Sequence, residues 1–141
     1  MGSYATWPME WSFMADPLEV DAVCPRVIKA ITDHSYRLSD SRLFRLELML
    51  REAMNNAVLH GCRGDRSMTV TCSASVVDEV LEFIVDDPGP GFDWRSRIES
   101  QGDLHGTSGR GMSIMTEYAD SVEFNEAGNR LTLKFSLAEV S

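Results

Sequence analysis

Glu52, Asn56 and His60 stand out on an otherwise apolar pattern, RLFRLELMLREAMNNAVLHG at residues 42–61. Their i, i+4, i+8 spacing would line them along one face of a helix, one above another. A solvated face more often shows long Lys or Arg side chains. A carboxylate, an amide and an imidazole are groups that move protons and hold metals. Taken alone, the stripe also fits a plain solvated face, with a His near a helix C-terminus where a cation is favoured.

Two downstream segments extend the signal. Asp87-Pro88-Gly89-Pro90-Gly91-Phe92 follows a run that reads as a buried strand and must leave it sharply. Its glycines permit a close backbone approach that a side chain would block. A carboxylate at that strand end can accept a hydrogen bond from the exocyclic amine of adenine, which guanine lacks; the plainer alternative is a Gly-Pro turn with a capping Asp. Further on, Ser108-Gly109-Arg110-Gly111-Met112 opens a helical pattern. Helix N-terminal amides form an anion site, and Arg110 adds a fork of donors suited to phosphate oxygen.

These residues need elements to hold them. Leu43, Leu46, Leu50, Met54 and Ala57 predict the central helix, with Ser39 and Asp40 as caps and Gly61 ending it in the left-handed conformation. Met9–Met14 alternates and predicts a strand. Asp16-Pro17-x-Glu19 is a helix start. That helix should run to about His34 with Val20, Val23, Val27, Ile28 and Ile31 inward, and Pro25 should either kink it or mark its true beginning.

After an Arg63-Gly64-Asp65-Arg66 turn, two alternating segments predict a hairpin turning at Asp78-Glu79. Met68, Val70, Cys72 and Ala74 share one face of its first strand; Leu81, Phe83 and Val85 share one face of its second. Residues 93–108 read as a polar loop, with a helical turn near Trp94 to Ile98. Gly109 to Tyr118 reads as a helix, and a closing hairpin turns around Ala127-Gly128-Asn129. The expected fold is α+β: a two-layer sandwich of a mixed, mostly antiparallel sheet with helices on one face. One domain is expected over residues 9–138, between a loose start at 1–8 and a short tail at 139–141.

The three ordered segments resemble the N box and two glycine boxes of the GHKL ATP-binding superfamily of gyrase, chaperone, histidine kinase and mismatch-repair ATPases. The pattern Glu-Ala-x-x-Asn-Ala-x-x-His is most similar to the RsbW-type branch, the anti-sigma-factor serine/threonine kinases. The resemblance covers nearly the whole chain. It implies ATP/ADP and Mg²⁺ as cofactors, Asp87 as the adenine acceptor, and Gly89, Gly91 and Ser108 to Met112 around the nucleotide. It also implies Asn56 as Mg²⁺ ligand and Glu52 as the general base for an attacking hydroxyl. His60 would either order phosphates or pack structurally, and His34 and His105 have no role. Many members carry Thr where Asn55 stands, and Gly-Thr where this chain has Gly128-Asn129. The implied partners are a STAS-type antagonist as phosphorylation substrate, a sigma factor, and a second copy in a homodimer through the first strand and helix.

Composition narrows the alternatives. The chain has 141 residues and a net charge of −9, which disfavours nucleic acid because nothing would neutralise its phosphates. No apolar run reaches the length of a membrane span, so a cytoplasmic protein is expected. Cys24, Cys62 and Cys72 form no C-x-x-C pair and fit reduced buried thiols. Three rival readings remain: a histidine-kinase ATPase domain, a non-catalytic nucleotide-gated binding module, and a ligand-free α+β interaction domain. The first would need an upstream helical segment bearing a phosphorylatable His. A pure binder would have no need of a base at Glu52.

Overall fold

A computed structural model of the chain describes residues 7–33, 37–91 and 107–138, with 107–112 described as helical backbone only. Residues 93–106 of the loop expected at 93–108, both His34 and His105, most of the loose start and the tail at 139–141 lie outside the described residues; Thr107 and Ser108, expected in that loop, are already helical.

Strand β1 spans Met9–Met14 and is followed by helix α1, Pro17–Thr32. Asp16 caps α1, its Oδ1 accepting from Leu18 N at 3.0 Å, and Pro17 occupies the first turn where its missing N–H costs nothing. The helix is continuous through Pro25, so the alternative of a start at Pro25 is overturned. Pro25 sits on the exposed side of the helix. Val20, Val23, Cys24, Val27 and Ile31 are buried. Ile28, expected inward, is partly buried and packs against the core, because the 3.6-residue period carries it to the edge of the stripe formed by Val20, Cys24, Val27 and Ile31.

Helix α2 spans Asp40–Asn56, two residues earlier than expected at its start, and Ser39 Oγ caps it by accepting from Arg42 N at 3.2 Å. Leu46, Met49, Leu50, Ala53 and Met54 face the core. The chain then widens into one π turn, Ala57–Gly61, closed by Cys62 N donating to Ala57 O at 2.8 Å. Gly61 is not left-handed, contrary to expectation. The positive φ values fall at Arg63 (52°) and Gly64 (75°), which reverse the chain two residues later.

Strands β2 (Thr69–Val77) and β3 (Val80–Asp86) form the expected hairpin. Asp78 and Glu79 both have positive φ, the backbone twist a two-residue hairpin turn demands. Helix α3 spans Thr107–Tyr118, and β4 (Ser121–Phe124) and β5 (Arg130–Ser136) close the sheet. Strand order is β1-β2-β3-β5-β4, and every pairing among the described residues is antiparallel. The sheet therefore lies at the antiparallel limit of the mixed sheet expected.

Cross-strand register explains the layering. Trp11, Cys72, Val85 and Leu131 lie in one row, and Ala74, Phe83 and Leu133 in the next, all on the face that meets the helices. The row on the other side of the first, Thr71, Asp86 and Arg130, points to the open face, where Arg130 Nε pairs with Asp86 at 2.6 Å. Arg42 ties the start of α2 to the sheet by donating to the Ser136 carbonyl and lying 4.8 Å from the Phe135 ring. The outcome is a two-layer sandwich with the ends of α2 and β3 at the same edge of the core.

Candidate functional site

The site is built where those two ends meet. Asp87 leaves β3 with its N–H still paired to the Asn129 carbonyl at 3.0 Å, so the strand is held one residue past its last ladder position. Its side chain turns back, and Oδ1 accepts from Gly89 N at 2.9 Å. Among the described residues this leaves Oδ2 to accept from a ligand. Burial pushes the Asp87 carboxyl above the usual aspartate range; the Gly89 hydrogen bond works against this and neighbouring Asp86 adds to it.

The path of the loop around the carboxylate depends on three glycines. A Cβ on Gly61 would stand 2.1 Å from Asp87 Oδ2, and one on Gly89 would stand 2.0 Å from the Gly61 carbonyl oxygen. Both distances are impossible contacts, so the π turn can abut the loop only as glycine on glycine. Gly91 has φ +95°, and a Cβ there would lie 1.8 Å from the Ala127 carbonyl oxygen. Gly61 does not terminate the helix in the left-handed conformation; its contribution is room for Asp87.

Glu52 and Asn56 are one turn apart on α2, both half-buried, on the helix whose continuation carries Gly61. Burial raises the Glu52 pKa, with Arg51 opposing. Arg51 itself turns away, pairing with Asp21 of α1 and with Glu47 at 3.4 Å. No ion pair to Glu52 occurs among the described residues, and a half-buried carboxylate without a cation is a competent proton acceptor. The π turn takes His60 off the straight i+4 continuation of Glu52 and Asn56, since the wider turn adds one residue to the register. Ser108, Gly109, Arg110, Gly111 and Met112 form the first turns of α3 as backbone; the contacts of their side chains lie outside what the structure describes.

Sequence reasoning missed the contribution of the β4–β5 turn. Asn125 Oδ1 accepts from three backbone amides, Gly128 at 2.9 Å, Asn129 at 3.0 Å and Arg130 at 3.1 Å. Its Nδ2 donates to Asn129 Oδ1 at 2.7 Å, and Asn129 Nδ2 donates to the Gly89 carbonyl at 3.2 Å. The available signal was Asn125-x-x-Gly128-Asn129, in which an Asn can satisfy the amides of its own turn.

The antiparallel α+β sandwich with its helices on one face is the fold of a GHKL-type ATPase domain. Residues 13–135 match the histidine kinase-like ATPase domain, and the chain belongs to that nucleotide-binding family. It is 28% identical over 93 residues to an anti-sigma F factor of Clostridium perfringens strain SM101, covering 62% of this chain and 65% of that one. It is 26% identical over 98 residues to the anti-sigma F factors of strains ATCC 13124 and 13, covering 63% of this chain and 69% of each. The match to the first of these relatives thus stops short of two thirds of its length.

Proposed function

We propose that the chain is an ATP-dependent serine/threonine protein kinase and anti-sigma factor. It phosphorylates a STAS-type antagonist and exchanges that partner for a sigma factor with nucleotide state. The observation that carries the catalytic part is Glu52. A half-buried carboxylate whose pKa is raised by burial, on the helix that abuts Asp87, has no purpose in a module that only binds nucleotide. The partner part is supported by the similarity to anti-sigma F factors.

In this reading Asp87 Oδ2 accepts from the adenine amine, and Gly89 and Gly91 let the loop that carries it pack against Gly61 and Ala127. The guanidinium of Arg45 lies 5.7 Å from the Tyr118 ring, which sets the last turn of α3 beside the first half of α2. Antiparallel packing of the two helices would return the α3 N-terminus, with Ser108 to Gly111, toward Asn56. Its amides and Arg110 would then hold phosphate. No group of three or more His, Cys, Asp or Glu suited to a metal occurs among the described residues. The fitting ion is one that takes a single protein ligand, water and phosphate oxygens, which is the habit of Mg²⁺, with Asn56 as the ligand. Bound there, Mg²⁺ would neutralise charge on the transferring phosphate. Glu52 would take the proton of the attacking Ser or Thr hydroxyl.

Asn56→Ala tests the metal assignment. It should weaken ADP binding about tenfold or more in Mg²⁺, on the scale of a hydrogen bond to a charged group, and leave Mg²⁺-free binding near the parent value. Titration calorimetry with and without EDTA reads both; equal losses in the two conditions would reject Asn56 as the ligand. The kinase reading itself is tested by radiolabel transfer from ATP to a purified STAS-type antagonist. Transfer that survives removal of the acceptor hydroxyl, or no transfer at all, counts against it.

A homodimer is part of the proposal. Strand β1 is a sheet edge, and a groove of about 330 Å³ lined by Met9, Trp11, Arg26, Lys29, Ala30 and Asp33 runs between it and α1. An apolar edge of this kind favours pairing with a second edge. Sedimentation should show a dimer whose dissociation constant rises on Trp11→Glu; a strict monomer at high concentration rejects this part. Among the described residues no helix is long and apolar enough to cross a membrane, and Cys24, Cys62 and Cys72 are buried thiols, in keeping with a cytoplasmic setting.

A further inference from the structure

We infer that Asn129, oriented by Asn125, is a positioning residue that fixes adenine selectivity by holding the Asp87 loop; the inference rests on the nucleotide-site reading above. The orientation of both amides is dictated by one chain of donors. Three backbone N–H groups converge on the Asn125 side chain, so its oxygen must face them. Its NH₂ group is then aimed at Asn129, which must answer with oxygen at 2.7 Å. That leaves the Asn129 NH₂ group toward the Gly89 carbonyl, 40 residues away in sequence at 3.2 Å.

The same residue grips the loop a second time, because its main-chain carbonyl accepts from Asp87 N at 3.0 Å. Gly89 in turn donates to Asp87 Oδ1 at 2.9 Å. The carboxylate is therefore fastened at its own backbone and, through Gly89, at its side chain. Both fastenings trace to the β4–β5 turn. On the opposite side Gly61 and Gly89 touch with no clearance, so the loop cannot shift toward α2 without a clash. It can shift only away from α2, and Asn129 opposes that movement. A movement of a few tenths of an ångström at Asp87 would lengthen the hydrogen bond that separates adenine from guanine. The phosphate end of the site would be untouched.

Two variants separate this from a merely structural turn. Asn129→Asp keeps the size and the acceptor for Asn125, removes the donor to Gly89, and sets a carboxylate against that carbonyl. Asn125→Asp keeps the acceptor for the three turn amides but removes the donor to Asn129. That reverses the preferred orientation of the Asn129 amide. ADP and GDP affinities are measured by calorimetry, with thermal melts alongside. Each variant should melt near the parent and lose about three- to tenfold of the ADP-over-GDP preference, with GDP affinity little changed. If both folded variants keep the parent preference, or lose ADP and GDP affinity equally, the positioning role is overturned. If the parent itself shows no preference for ADP, the nucleotide-site reading fails first, and the inference falls with it.

Discussion

Glu52→Gln is expected to bind Mg²⁺-ATP as the parent does and to transfer phosphate about 10² to 10⁴-fold more slowly, the usual worth of a positioned base. The substitution preserves length, helix propensity and the half-buried packing of the side chain, and removes only the proton acceptor. The adjacent Arg51 does not offer a substitute. Arg51 carries a proton it will not release and is engaged with Asp21 and Glu47. A second readout comes from stability. Burial raises the folded-state pKa of Glu52. The ionised form is thus penalised by folding, the penalty being absent below the unfolded-state pKa and complete above the folded-state pKa. The Gln variant has no such penalty. It should therefore melt above the parent at neutral pH, with the gap closing as pH falls through the folded-state pKa and past the ordinary glutamate value. Higher stability with lost turnover is the pattern of a residue kept for chemistry. Transfer at the parent rate would mean that the base is elsewhere and that Glu52 is only a half-buried surface carboxylate.

The elements that hold the site were legible in the sequence where local chemistry decided them. Asp16-Pro17 fixed the start of α1, the alternation of Val70, Cys72 and Ala74 against Leu81, Phe83 and Val85 fixed the central hairpin, and the spacing of Leu46, Leu50 and Met54 fixed α2. Glu52, Asn56 and Asp87 could be singled out because polar groups in apolar surroundings are rare. What the sequence hid was long-range. The π turn at Ala57–Gly61 has no local signature, and it places Gly61 against Asp87 and Gly89. The absent Cβ at Gly61 therefore read as a helix terminator, when its neighbour is a carboxylate 26 positions on. Asn129 looked like an ordinary turn residue for the same reason, since its partner Gly89 lies 40 positions away. Ile28 shows the smaller kind of error, in which the apolar stripe is right and the choice between adjacent residues waits on packing.

Asp87→Asn should weaken ADP binding by roughly 2 to 3 kcal/mol, or about 30- to 150-fold, the scale of a hydrogen bond to a charged group. The size of the loss follows from Gly89. Its N–H already claims one oxygen of the carboxylate, at 2.9 Å, and the second oxygen remains for the base. An asparagine has a single oxygen. If that oxygen serves Gly89, an NH₂ group faces the adenine amine, donor against donor. If it serves adenine, the Gly89 N–H loses its partner. Neither arrangement restores both bonds, so the conservative amide should behave nearly as badly as a truncation. The same geometry gives the variant an opposite preference, because an NH₂ group can donate to the guanine carbonyl; GDP binding should hold or improve while ADP binding falls. Acidity supplies an independent check. Burial holds the Asp87 carboxyl above the ordinary aspartate range, and only its ionised form leaves an oxygen for the base beside the one used by Gly89. Parent ADP affinity should therefore decline as pH falls through that raised pKa, and the Asn variant should show no such limb. Calorimetry with ADP and GDP across a pH series reads every one of these outcomes. Unchanged ADP affinity in the variant, or an acid limb that persists in it, would remove Asp87 from the adenine site.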